Sequence, residues 1–146
     1  MLRRTSFCLL LLGFLSQVAV AGDAVFQDGG IAINGYDPVS YHTLRKATKG
    51  SSQHTYQWNN TTWHFANQSN KNLFAADPNK YAPQYGGFCA YAASKGALAP
   101  TDPHAWTVRG DKLYLNYSMS VRSTWRKNVE SNIALADKNW LTLKNQ

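Results

Sequence analysis

His54-Thr55-Tyr56-Gln57-Trp58-Asn59-Asn60-Thr61-Thr62-Trp63-His64-Phe65 is the stretch whose reading decides the fold. Two runs of aromatic and β-branched residues flank Asn59-Asn60, and asparagine tolerates the positive φ that a two-residue hairpin turn requires. A tight turn pairs Trp58 with Thr61 and Tyr56 with Trp63. Side chains alternate along a strand, so Tyr56, Trp58, Trp63 and Phe65 share one apolar face. His64 then points to the opposite face with Gln57 and Thr62, outside the main core and free to bind.

A second hairpin is spelled by Trp106-Thr107-Val108-Arg109, a turn at Gly110-Asp111, and Lys112-Leu113-Tyr114-Leu115-Asn116-Tyr117. Here Trp106, Val108, Leu113, Leu115 and Tyr117 fall on one face, the pattern of a half-buried antiparallel pair. Between and around the hairpins lie short helices. Asp37 caps one that starts at Pro38 and runs to about Leu44, and Asn67 or Ser69 caps one ending near Ala76 with Leu73 and Phe74 inward. Asp77-Pro78 starts a turn of helix through Tyr81. Ser118 caps a helix with Val121 and Trp125 inward, and a final helix carries Ile133, Leu135, Ala136 and Trp140. Without βαβ alternation, this order predicts an α+β fold: a small antiparallel sheet built from two hairpins, short helices packed on one face, and a C-terminal helical segment.

The chain of 146 residues opens with Arg3 and Arg4, an uncharged apolar run from Phe7 to Leu15, and Ala19-Val20-Ala21 before Gly22. That is the order of a secretory signal peptide, its apolar run too short to span a bilayer. Residues 1–21 are read as a removed leader and 22–146 as one domain, monomeric and exported to the periplasm or beyond. No second long apolar run exists, so no stable membrane insertion is expected after cleavage. The formal charge of +7 falls to +5 when Arg3 and Arg4 leave. The remaining cations are scattered and no arginine-aromatic platform is evident, which argues against nucleic acid as a partner. Cys8 departs with the leader, leaving Cys89 as a lone free thiol and excluding an internal disulfide.

Cys89 lies in Tyr85-Gly86-Gly87-Phe88-Cys89-Ala90-Tyr91-Ala92-Ala93-Ser94-Lys95-Gly96. The two glycines run into a small-residue segment that reads as one short helix ended by Gly96, with Cys89 in its first turn. Unpaired N–H groups and the positive dipole end favour a thiolate there.

Tyr36-Asp37-Pro38-Val39, the strand ending Trp63-His64-Phe65, the helix to Leu73-Phe74, Asp77-Pro78-Asn79-Lys80-Tyr81 and Tyr85-Gly86-Gly87-Phe88-Cys89 together resemble the YHS-domain family. More narrowly they resemble its exported, stand-alone bacterial members, over roughly Tyr36 to Tyr117. The resemblance implies a compact α+β domain of a type associated with metal binding. The metal-type pattern, however, carries cysteines where this chain has Ser40, Ala66 and Asn70. The family's copper site is therefore not transferred, only its fold.

Three chemistries follow from the residues that remain. A metal site, for copper or zinc, would draw on Cys89, His64 and His42, with His54, His104 and Met119 as further donors, although His54 and Met119 read more simply as core residues. A thiol-dependent enzyme or redox sensor would use Cys89 as an activated thiolate, with His64 or His104 as base, Asp102 orienting His104, and the N–H groups of Gly87 to Ala90 as an oxyanion hole. A binding or accessory module would line a cleft beside Cys89 with Tyr36, Tyr85, Gly86, Gly87 and Tyr91, to take a small ligand or a partner protein.

Overall fold

The computed structural model describes residues 22–146; the leader read at 1–21 lies outside them. A two-residue strand β1 (Gln27–Asp28) turns through Gly29-Gly30 into β2 (Ile31–Ala32), and a 3-10 turn leads to helix α1 (Pro38–Thr43). Strands β3 (Ser51–Trp58) and β4 (Thr61–Phe65) follow, then α2 (Gln68–Ala76) and α3 (Pro78–Tyr81). A second 3-10 turn precedes α4 (Ala90–Ser94), strands β5 (Trp106–Arg109) and β6 (Lys112–Leu115), and helices α5 (Met119–Lys127) and α6 (Val129–Leu143). The fold is α+β with a C-terminal helical segment.

The β3–β4 hairpin has the register its sequence dictates: Trp58 opposite Thr61, Tyr56 opposite Trp63, Gln57 opposite Thr62. Asn59 and Asn60 both take positive φ, 48° and 55°, as a turn matching the strand twist requires. Trp63 and Phe65 are fully buried and stack on Phe74 of α2, with centroids 5.2 and 5.1 Å away. Each such ring contributes roughly 1.5–3 kcal/mol by leaving water, so this one face supplies much of the domain's cohesion.

The two hairpins do not form one antiparallel sheet. The first belongs to a four-stranded mixed sheet of order β1-β2-β4-β3, in which Ile31 pairs in parallel with Thr62, and the second stands alone as a two-stranded sheet. Burial explains the separation. Leu113 and Leu115 sit in a core with Trp63, Phe65 and Phe74, while Tyr114, between them, turns into a second core with Tyr85, Trp125 and Ala136. Strand β6 is thus a partition buried on both faces, not the half-buried strand its alternation predicts. Tyr117, placed by period two on the apolar face, lies past the strand end and is exposed. Leu73, Leu135 and Met119, expected inside, are also exposed, while Phe74, Ala136 and Trp125 are fully buried.

Candidate functional site

Cys89 is the N-cap of α4 rather than a residue of its first turn. Its Sγ accepts from Ala92 N at 3.5 Å and from Tyr117 N at 3.3 Å, and the thiol donates to Asn116 Oδ1 at 3.5 Å. Asn116, fully buried, also accepts from Tyr91 N at 3.0 Å. The thiol is 1 % exposed and borders none of the principal cavities found among the described residues. What it does in this arrangement is satisfy two backbone donors, tying the start of α4 to the end of β6.

The histidines are held elsewhere. His64 does face away from the core, beside Asn34, Gly35, Lys49 and Gly50 at a cavity of about 280 Å³. Gly50 is needed there, because a Cβ would fall 2.6 Å from the His64 backbone. His42 packs edge-on against Tyr81 and its Nε2–H donates to Tyr81 O at 3.2 Å. Burial lowers its pKa, an effect the Tyr81 carbonyl partly opposes. His104 is exposed and edge-on to Tyr36. The Asp102 carboxylate accepts from the His104 backbone N, shaping the loop, and makes no bond to the imidazole. His54 is half-buried with Nδ1 unpartnered. Among the described residues no group of three or more His, Cys, Asp or Glu side chains is placed to hold a metal ion.

Ser40, Ala66 and Asn70, the positions where the YHS resemblance expects cysteines, do come together, around Asp37. The fully buried Asp37 carboxylate caps α1 through Oδ1, accepting from Val39 N at 2.8 Å and Ser40 N at 3.4 Å. Its Oδ2 accepts from Ala66 N and Asn70 Nδ2, both at 2.8 Å, and Asn70 also reaches Ser40 Oγ. The capping role is legible in the sequence; the bonds to residues some thirty positions away are not.

Of the aromatic ligand candidates, Tyr36 lies by His104 and half-buried Tyr91 lies under Lys95, whereas Tyr85 opens onto a different and larger feature. A cleft of about 370 Å³ is walled by Asp23 and Ala24, Trp58 and Asn59, Asn79 and the segment 82–86, Lys112, and Asp137 and Trp140 of α6. Tyr85 takes φ 57°, ψ 35°, a left-handed conformation unfavourable for an aromatic residue by roughly 1–2 kcal/mol. The conformation places its ring in the second core and its hydroxyl 2.8 Å from Asp137 Oδ1. Burial first, and then the Asp137 bond, raises the Tyr85 pKa, so the phenol stays a neutral donor that holds the carboxylate in place. Asp23, on the wall of the cleft, pairs with Lys144 at 3.5 Å.

Gly86 borders the cleft, and both Gly86 and Gly87 serve packing. A Cβ on Gly86 would lie 1.9 Å from Ala24 O, and one on Gly87 would lie 2.4 Å from Ile33 Cγ2. Sequence reasoning missed Trp58, Asp137 and Trp140 as cleft residues, because only the tertiary fold brings the hairpin turn beside α6. Comparison with protein-family models, with curated proteins and with solved structures finds no match to this chain.

Proposed function

We propose that this chain is an exported, YHS-like binding or accessory domain that holds a small ligand carrying an ammonium group in the cleft between Trp58, Tyr85 and Trp140. One observation carries the reading: separate segments of the chain converge on the cleft, and a strained Tyr85 fixes the Asp137 carboxylate at its wall. The Asp137 carboxylate attracts a cation by charge, and the Trp58 and Trp140 rings that line the same cleft add the attraction of the ring quadrupole. Lys112, exposed at the rim, can swing away on its flexible stem. The cleft volume of about 370 Å³ is at the lower end of ligand sites, which suits a small molecule rather than a peptide. Placing the ligand here rather than at Cys89 is supported by the burial of the thiol and its occupation by backbone donors.

The test is an amide and indole NMR titration with a panel of primary and quaternary amines, set beside titrations with Zn(II) and Cu(I). Shifts clustered on the Trp58 and Trp140 indoles, and lost in Asp137→Asn, support the cleft. Metal-induced shifts centred on Cys89, with no amine response up to millimolar concentration, would return the site to the thiol.

A further inference from the structure

We propose that the cavity between the second hairpin and α5 is a binding site for a small tetrahedral oxyanion of the phosphate or sulfate kind, held by Arg122 and Arg126. The cavity measures about 300 Å³ and is lined by Thr107, Val108, Arg109, Trp125, Arg126 and Val129. Arg122, one helical turn before Arg126, donates from Nε to Oγ1 of the lining residue Thr107 at 3.1 Å.

Charge is what makes the place unusual. Arg109 is paired with Glu130, but among the described residues no carboxylate pairs with Arg122 or Arg126. Like charges four residues apart on a helix repel, and burial together with Arg126 lowers the pKa of Arg122. The C-terminal end of the α5 dipole accounts for Arg126 and Lys127 in the last turn. It gives no partner to Arg122, which is partly buried. The wall of the cavity also includes Trp125, fully buried, whose Nε1–H has no acceptor.

An oxyanion answers each of these features. Guanidinium forks match the oxygens of phosphate or sulfate in paired hydrogen bonds and lose their mutual repulsion when an anion lies between them. Thr107 Oγ1 accepts from Arg122 and so retains its own O–H to donate. At about 300 Å³ the cavity suits a free anion or the phosphoryl end of a small molecule.

Thermal unfolding of the purified chain in inorganic phosphate, against chloride at equal ionic strength, tests the proposal. Phosphate should raise the midpoint of the parent chain and move the Trp125 indole resonance, which Trp125→Phe identifies. Arg126→Gln should weaken phosphate binding by about tenfold or more. Arg126→Lys, which keeps the charge but not the fork, should fall between. Protection by phosphate no greater than by chloride, or equal in the parent and in Arg126→Gln, would overturn the proposal.

Discussion

Gly86→Ala tests how the N-terminal arm is held against the body of the domain. Gly86 has φ +61°, and a Cβ there would lie 1.9 Å from Ala24 O, 3.0 Å from Ala24 C and 3.2 Å from Val25 Cα. All three are backbone atoms, so no side-chain rotation relieves the overlap and the arm itself must move. The left-handed conformation alone costs an alanine about 1–2 kcal/mol. Moving the arm endangers the bonds Phe26 N to Gly86 O and Ala24 N to Lys144 O, both 2.9 Å, at about 0.5–1.5 kcal/mol each. It also endangers the burial of Val25, which contributes about 1.5–3 kcal/mol. Allowing for partial relaxation, the expected loss is about 3–6 kcal/mol, a large share of the 5–15 kcal/mol typical of a domain. Gly96→Ala supplies the control, because Gly96 has φ +79° but its Cβ would meet nothing nearer than Asn139 Nδ2 at 3.9 Å. Only the conformational cost of about 1–2 kcal/mol should appear there. Urea unfolding followed by circular dichroism measures both. If Gly86→Ala lies within about 1 kcal/mol of Gly96→Ala, the arm is not seated as described and the Asp23–Ala24 wall of the cleft goes with it.

Cys89→Ser should keep stability within about 1 kcal/mol, since a hydroxyl caps a helix and accepts from backbone N–H as well as sulfur does, whereas Cys89→Ala should lose about 2–3 kcal/mol by orphaning the Ala92 and Tyr117 donors. Iodoacetamide should modify the native thiol only as fast as the chain opens; modification at the rate of a free thiol would refute its structural role. The pH dependence of stability follows from His42. Its folded pKa lies below the ordinary 6.5, chiefly through burial, so the unfolded chain takes up the proton first. The contribution is therefore complete above about 6.5 and is lost as pH falls from there through the lower folded value. His42→Gln should flatten that part of the stability profile, and an unchanged slope in the variant would assign the dependence to another group.

How far the sequence carried depends on the range of each contact. The β3–β4 hairpin, its register and its turn were readable because Asn59-Asn60 and the aromatic alternation are local signals, and so were the caps at Asp37, Asn67 and Ser118. The relation between the two hairpins was not readable. Period two places Leu113 and Leu115 on one side and Tyr114 on the other, but nothing in the pattern says that a second core waits for Tyr114. That core is made by α4, α5 and α6, whose partners are far away in the chain. The surroundings of Cys89 were hidden for the same reason. A lone cysteine after two glycines looks like an exposed helix start until Asn116 and Tyr117, just past the end of β6, arrive to cover it.

Asp37 shows how a buried carboxylate is taken up by structure in this chain. A carboxylate offers about four lone-pair directions, and Asp37 has four donors: two backbone N–H groups from its own helix, one from Ala66, and the Asn70 amide. With the directions filled and the group fully buried, no vacancy remains for an ion. Cys89 repeats the pattern on a smaller scale, accepting two N–H groups and donating to Asn116. Asp137 differs in the one respect that matters. Its Oδ1 is anchored by Tyr85, while the residue itself is exposed at the edge of a cleft between two indoles. A carboxylate held in position by one bond and open on its other side can exchange solvent for a ligand, and a saturated buried one cannot. That distinction, rather than residue type, is why we propose the cleft and not the thiol as the ligand site.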